Sequence, residues 1–590
     1  MVLKEMKRLK ESKAYALSFV PVLILVAYLQ YYTVELSFST PEACQAIPLL
    51  SKVVGVCTVL LLDLAALAVC KKIPVGMGIA IAATTLLAVA NYFVLKFRGT
   101  PFTFVMIQNF TTAMNVIGSY RFVLELHLLK MLGLVALQLA LVSVLYWKMD
   151  VPRLYSAGGV ALLLAVMYWG YLGQQPVIPN NVVGWSWNEA VEPYGYLPSM
   201  VKCTLESRTA VRKPDGYDES WVREYVEQFD GAEAGSTPDV IVILNETFYD
   251  MARMGVTDTD VDPMAYIHSL ENSIQGYCYA PCEGGGTNVS EYELLTSNSI
   301  YLSPNSNPFN TIDISGGNSF ASYLESLGYT SFGAHSEPGM NYARDAAYPA
   351  LGFDEIHFGE EFQDPEYYYG RLYKSDASLY RNLIRWYEEM DEGPRVMYLL
   401  TIQNHANYDY LKEEEYLVHA QEDYGELTGQ INEYLTCMSL SDEAFQILVE
   451  YFENVERDVI ICMVGDHAPI FVRDMGAAYE GDERASRTFA VPYVVWSNHI
   501  ELDERAIPEE TCMPFLVPAA LKAGGVKLSA FYEYIVDMQQ QIPYVTSFGR
   551  YSDTEGNRYT FADETPIRLI LDRYFDLAYA NMVKADFMME

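Results

Sequence analysis

At 590 residues and 51% hydrophobic side chains, the chain is longer than one ordinary domain and more apolar than a typical soluble one, so two unlike parts are expected. The formal net charge is -37, and the acidic residues crowd in after about residue 186. That excludes the clustered Lys and Arg face of a nucleic-acid binder and suits a solvated domain that tolerates bound cations.

The chain opens with Lys4, Lys7, Arg8, Lys10 and Lys13, and Tyr15 to Leu36 is then apolar for about 20 residues, the length of a membrane-crossing helix. A signal peptide is the other reading of such a start. The run is too long for that, lacks a small-x-small cleavage site and is followed by more runs like it. These lie near 47–70, 74–95, 129–147 and 155–173, so residues 1–173 are read as a transmembrane domain of five spans. Five such runs in succession rarely occur as core helices of a water-soluble chain. The basic residues at the start, at Lys71-Lys72 and from Lys148 to Arg153 fall on one side, with Lys96, Arg98 and Arg121 as exceptions. By the positive-inside rule the N-terminus is cytoplasmic and everything after the fifth span is outside.

Residues 174–235 change to Pro, Gly, Asn and acidic side chains, which reads as a linker along the membrane surface with one amphipathic helix near Tyr217 to Phe229. Residues 236–590 form the outer domain. Pro238 to Leu244 is a short continuous β-branched run, as in a strand buried on both faces, and Val396 to Ile402, Asp458 to Val464 and Ala490 to Trp496 repeat the type. Helical stretches at Ser319 to Leu327, Leu379 to Met390 and Asp442 to Phe452 separate them, and a closing helix is expected near Pro566 to Tyr574. This alternation predicts an α/β domain with helices on both faces of a mostly parallel sheet, whose ligands gather at the carboxyl ends of the strands.

Nine cysteines do not make a small disulfide framework. Cys44, Cys57 and Cys70 fall in or beside membrane segments. Cys278 and Cys282 are close in sequence, but an extended strand holds them too far apart to bridge unless Pro281 turns the chain. No Cys-x-x-Cys pair points to structural zinc.

Glu246 follows the first strand, and Asp466-His467 follow the strand at 458–464, so two strands can deliver three ligands to one end of the sheet. Two carboxylates and an imidazole suit Mn²⁺, Mg²⁺ or Zn²⁺, the hard oxygens favouring the first two. On its own, Gly465-Asp-His-Ala-Pro is also an ordinary strand-to-loop turn. Thr287 follows Gly284-Gly285-Gly286, where the backbone can approach an anion closely. A glycine run alone is most often a flexible loop. A threonine hydroxyl becomes a useful nucleophile only when a metal lowers its pKa, which is the reason for wanting Glu246, Asp466 and His467 beside it.

The run from Gly284-Gly-Gly-Thr287-Asn-Val-Ser to Leu294-Leu-Thr296-Ser-Asn-Ser, the pair Asn341-Tyr-Ala-Arg344-Asp and Leu351-Gly-Phe-Asp354, and Gly465-Asp-His-Ala-Pro together resemble the lipoteichoic acid synthase family. This is the membrane-anchored phosphoglycerol transferase branch of the alkaline phosphatase and sulfatase superfamily. Lys96-Phe-Arg-Gly-Thr-Pro-Phe102 resembles its membrane part, so the likeness runs through nearly the whole chain in the same order. It implies an alkaline phosphatase/sulfatase-like fold in the outer domain, with a mixed, mostly parallel sheet. It also implies a bacterial, multi-pass membrane enzyme with an extracellular catalytic domain. Thr287 would take phosphoglycerol from phosphatidylglycerol, with Glu246, Thr287, Asp466 and His467 holding one Mn²⁺ or Mg²⁺, Mn²⁺ first. The acceptor would be a glycolipid or a polyglycerolphosphate chain.

His335, Arg344 and His405 match family positions that hold phosphate and glycerol, and Tyr342 stands where the family often has an aromatic residue, often tryptophan. Without the resemblance, each histidine is as readily a hydrogen-bonded core residue, and Arg344 a surface ion pair. His268, His357 and His419 are read as structural or exposed. Formylglycine sulfatases need Cys or Ser in a Cys-x-Pro-x-Arg context, and Cys282 is followed by Glu-Gly-Gly, which leaves the threonine branch. Water as acceptor would give a phosphodiesterase or phosphatase on the same residues. A non-catalytic scaffold is the reading from another class, and it would be signalled by a lost ligand, of which there is none among Glu246, Thr287, Asp466 and His467.

Overall fold

The computed structural model describes residues 2–70, 72–98, 101–104, 125–146, 153–173, 176–179, 193–206, 211–229, 235–303, 308–314, 318–339, 341–390, 392–475, 488–584 and 588. Lys71, Arg121, the stretch from Lys148 to Pro152 and the middle of the expected linker lie outside the described residues, as do Gly99 and Thr100. The chain divides into two compact units, one of residues 1–107 and 118–208, the other of 108–117 and 209–590.

The first unit consists of apolar helices at Val2–Leu36, Leu49–Cys70, Ile73–Arg98, Leu126–Tyr146 and Arg153–Met167, the last continued by a π-turn at Tyr168–Leu172. Among the described residues the first four are long and apolar enough to cross a membrane, and the fifth is shorter, so the count of five spans is approximate. Side chains outside the buried seams stay apolar and exposed, as with Leu86 and Val144, because lipid rather than water is their solvent. Several polar groups inside are paired. Gln30 Nε2 donates to both Asp63 oxygens at 2.9 and 3.1 Å while Thr84 Oγ1 donates to Gln30 Oε1 at 2.9 Å, joining three helices. Glu35 accepts the N–H groups of Tyr196 and Leu197 at 2.7 and 3.0 Å, which caps the helix Tyr196–Glu206 and ties it to the first span.

In the second unit, the amphipathic helix expected along the membrane surface runs Glu219–Glu227, capped by Asp218. Its aromatic face packs on protein. Trp221 packs edge-on to Tyr534 at 5.8 Å and lies under the Arg573 guanidinium at 4.4 Å, and Arg573 pairs with Asp218 at 3.2 Å.

The core of this unit is an eight-stranded sheet of β1 (Asp239–Asn245), β2 (Ser273–Tyr279), β3 (Thr330–His335), β4 (Glu355–Phe358), β5 (Arg395–Leu400), β6 (Val459–Gly465), β7 (Ala490–Ser497) and β8 (Glu510–Cys512), in the order β4-β3-β5-β1-β6-β7-β2-β8. Only β7 runs against its neighbours; every other strand points the same way. β1, β6 and β7 are buried along their whole length, which their unbroken apolar runs dictate, since helices cover both faces. Met463 of β6 meets Tyr380 of the helix Asp376–Glu389, while Ile460, facing the other way, meets Gly524 at the end of Met513–Ala523. A small antiparallel sheet at 545–560 and the helix Arg568–Met582 close the unit. The α/β architecture with a mixed, mostly parallel sheet expected from the sequence is therefore present, and its register sets Asn245 beside Gly465 and Leu244 beside Leu400, so the loops after β1, β5 and β6 start side by side.

Candidate active site

Gly284, Gly285 and Gly286 have φ of 63°, 138° and 103°, a succession in the left-handed region that only glycine adopts without strain. This path leads the chain from β2 into the helix Thr287–Thr296 and leaves Thr287 in its first turn, where the helix dipole favours an anion. The Gly284 N–H donates to Ala468 O at 3.1 Å and Ser290 Oγ to Asp466 O at 2.7 Å, fastening the threonine helix to the turn after β6. Thr287 Oγ1 then donates to Glu246 Oε2 at 3.2 Å.

Glu246, Asp466 and His467 are buried, and one ligand atom from each lies within 4.8 Å of the others. Thr247 organises the two acids, its N–H donating to Asp466 Oδ1 at 2.6 Å and its hydroxyl to Glu246 Oε1 at 2.7 Å. Asp466 Oδ2 accepts no hydrogen bond. His467 Nδ1 is 3.0 Å from Ala468 O. A carbonyl only accepts, so Nδ1 carries a proton, and in the neutral ring Nε2 turns its lone pair toward Asp466 Oδ2 at 3.2 Å and Glu246 Oε1 at 3.8 Å. Lone pairs facing one another repel unless a cation lies between them. Burial also pushes the Asp466 carboxyl up to about 7, and burial followed by the Asp466 charge raises Glu246. The two acids, the imidazole and the threonine oxygen are thus a donor set that fits one divalent cation.

The other predicted residues gather at neighbouring strand ends. His335 closes β3 opposite Leu400 and donates from Nδ1 to Leu400 O at 3.0 Å. Burial, and after it the Arg344 charge, hold this imidazole well below the usual histidine range. A neutral ring in this tautomer accepts at Nε2, so His335 is suited to receive a hydroxyl and cannot donate to a phosphate oxygen. His405, in the turn after β5, places Nδ1 2.7 Å from Ala406 O, and its charge acts on both Glu246 and His335. Arg344 is buried, and its Nε donates to Glu291 Oε2 at 2.9 Å, which joins it to the helix that carries Thr287. Tyr342 has a left-handed φ of 57°, and its ring centroid lies 5.1 Å from the Arg344 guanidinium.

Sequence reasoning did not single out Thr247, Glu291 or Lys374. Thr247 adjoins Glu246, and Glu291 stands within the threonine motif, so adjacency was an available signal for both. Lys374 had none; its Nζ donates to Ser336 O at 2.8 Å, and its charge reaches His335. Cys282 packs 3.3 Å from Ser290 Oγ, burial pushes its thiol up, and neither it nor Cys278 is in a disulfide. His268, His357 and His419 pair with Asp262, Glu361 and Asp260.

Residues 238–526 match the sulfatase family model. A protein of Rhizobium meliloti (strain 1021) named for cyclic beta-1,2-glucan modification is 28% identical over 281 residues, which cover 45% of this chain and 43% of that one. The chain spans less than half the length of the curated relatives it matches. Among solved structures, the phosphoglycerol transferase GacH of Streptococcus pyogenes, in complex with sn-glycerol-1-phosphate, superposes with a TM-score of 0.53 at 17% identity, covering 64% of this chain and 97% of that one. The integral membrane lipooligosaccharide phosphoethanolamine transferase EptA of Neisseria meningitidis has a TM-score of 0.50 at 11% identity, over 86% and 95%. At these identities the likeness is one of fold.

Proposed function

Since residues 238–526 are a sulfatase-family domain that follows apolar membrane helices, we propose that the chain is a membrane phosphoglycerol transferase of the lipoteichoic acid synthase type, acting on phosphatidylglycerol through a phosphoglycerol-threonine intermediate. The observation that carries this reading is the Thr287 hydroxyl, in the first turn of a helix and 3.2 Å from Glu246 within a divalent-ion donor set. GacH, whose structure holds sn-glycerol-1-phosphate, shares the fold and supports the choice of transferred group.

Glu246, Asp466, His467 and Thr287 would hold the ion, Mn²⁺ first and Mg²⁺ second, and when bound it supplies positive charge that makes the threonine oxygen a nucleophile and offsets charge on phosphorus. Thr287 Oγ1 attacks the phosphorus of phosphatidylglycerol. A threonine–phosphorus bond forms, the bond to the diacylglycerol oxygen breaks, and the threonine proton ends on diacylglycerol. His405, with its Nδ1–H given to Ala406 O, takes up a proton at Nε2 and passes it to that departing oxygen, and in the second half takes the proton of the arriving hydroxyl at Nε2. The helix N-terminus and Arg344 face the phosphate charge, and His335 receives a glycerol hydroxyl. In the second half, a glycolipid or polyglycerolphosphate hydroxyl attacks phosphorus and frees Thr287. The positive-inside pattern of the basic loops supports a cytoplasmic N-terminus and an extracellular catalytic unit.

The test is to incubate the purified chain with headgroup-labelled phosphatidylglycerol without acceptor and to map the label by mass spectrometry. A phosphoglycerol adduct on Thr287 is expected, and Thr287→Ala should carry none while turnover falls at least roughly a thousandfold. An adduct or turnover that survives the substitution would sink the assignment. Glycerol phosphate released at a rate indifferent to added acceptor would make the enzyme a hydrolase on the same site.

A further inference from the structure

After β5 the chain turns back through residues 401–411 with His405 in the turn, and three of its carbonyls converge on one side chain. Arg371 is 3% exposed. Its Nη2 donates to His405 O at 2.7 Å and Gln403 O at 3.3 Å, and its Nη1 to Asn407 O at 3.2 Å and Glu433 Oε1 at 2.5 Å. Glu433, on the helix Thr428–Phe452, uses its other oxygen to accept the N–H groups of Tyr410 and Leu411 at 2.8 and 2.9 Å. Tyr373, two residues beyond Arg371, sets its ring 5.0 Å from the His405 imidazole. The ion pair therefore grips the turn on both sides of His405. Buried pairs of this kind add little stability, because desolvation offsets their attraction. They do fix geometry: a planar guanidinium offers several N–H groups in a rigid fork, which an ammonium cannot reproduce.

We infer that Arg371, held by Glu433, is a positioning residue for His405: it clamps the carbonyls at 403, 405 and 407 and so sets where the imidazole Nε2 points. The inference rests on the reading of His405 as the group that serves the departing and arriving oxygens. Arg371 itself touches backbone carbonyls, Glu433 and the rings of Tyr408 and Tyr410, 5.5 and 5.4 Å from its guanidinium, and acts on the reaction through His405.

The experiment is a mutant cycle on the full chain in detergent micelles, following diacylglycerol release from a fluorescent phosphatidylglycerol. Arg371→Met combined with Glu433→Met removes both charges together, so no charge is left buried alone. Its kcat should fall roughly tenfold to a hundredfold with little change in KM, the expected cost of a misplaced catalytic group. Adding His405→Ala to that chain should cost almost nothing further, because residues acting through one another are not additive. Arg371→Lys keeps the charge opposite Glu433 but lacks the fork, and it is expected to show the same non-additivity with His405→Ala; this arm decides the matter where the double variant does not fold. An unchanged kcat, or losses that multiply with that of His405→Ala, overturns the role of Arg371. Thr287→Ala is assayed in parallel. Turnover surviving it brings down the reading of the whole site, whereas turnover lost there with an additive cycle brings down only the clamp.

Discussion

Asp466 faces two ways, with Oδ1 spent on the Thr247 N–H and Oδ2 turned to the His467 lone pair. Its burial makes the charged form costly unless a cation accompanies it. A divalent ion that binds only the folded site stabilises it by mass action, so Mn²⁺ at about a hundred times its dissociation constant should add about 2.7 kcal/mol, seen as a raised unfolding temperature that a chelator reverses. Asp466→Asn should lose most of that shift. An equal shift in this variant would place the ion elsewhere. Glu246 and the Asp466-His467 pair were readable in the sequence because each follows an apolar strand and so comes to rest at a strand end. Their supports were not: Glu291 lies 53 positions from the Arg344 it holds, and nothing short of the fold brings the two together. The same holds for Arg371 and Glu433, 62 positions apart.

The helix Thr287–Thr296 is buried along most of its length, and its acids point inward instead of to solvent. Glu291 takes Arg344 on one side, and Glu293 accepts Ile300 N–H at 2.7 Å and Ser547 Oγ at 2.5 Å on another, anchoring the helix to the segment beside the small sheet. Burial pushes the Glu293 carboxyl up to about 7 from an ordinary 4.5. Between those values the folded state binds the proton that the unfolded state has released, so stability falls as pH rises through this window. Glu293→Gln keeps an acceptor oxygen for both partners and carries no charge. Relative to the natural chain, the variant should gain stability from pH 4.5 to 7.5, by on the order of 3 kcal/mol at the upper end. Unfolding temperatures of the two chains that stay parallel across this range would show that Glu293 does not titrate there. An alternation of polar and apolar residues could not reveal this helix, since it has no outward face. β1, β6 and β7 were legible for the opposite reason, because unbroken β-branched runs have few other uses. β2, with Gly276 and Gln275 inside it, breaks that pattern and was missed.

At the scale of the whole chain, the contrast between an apolar first unit and an acidic second one bears on what the site can accept. A formal net charge of -37 generates a negative potential around the solvated unit. A polyglycerolphosphate chain carries one negative charge per repeat and must approach against that potential, whereas a neutral glycolipid headgroup meets none. Salt screens the repulsion over a Debye length that shrinks from about 30 Å at 0.01 M to about 8 Å at 0.15 M. With polyglycerolphosphate as acceptor, kcat/KM should therefore climb several-fold across that range, and with a neutral glycolipid it should stay nearly flat. Both are measured in neutral micelles with the donor held at fixed surface fraction, so that the charge of the donor surface is common to the two series. Transfer to the polyanion that falls with added salt would mean that a basic groove receives it and that the acceptor side of the site is shielded from the net charge. The ion pairs on the described surface, such as Arg381 with Glu366 and Lys522 with Glu533, leave their acidic neighbours Asp364 and Asp537 in excess, which is why the rise with salt is the expected direction.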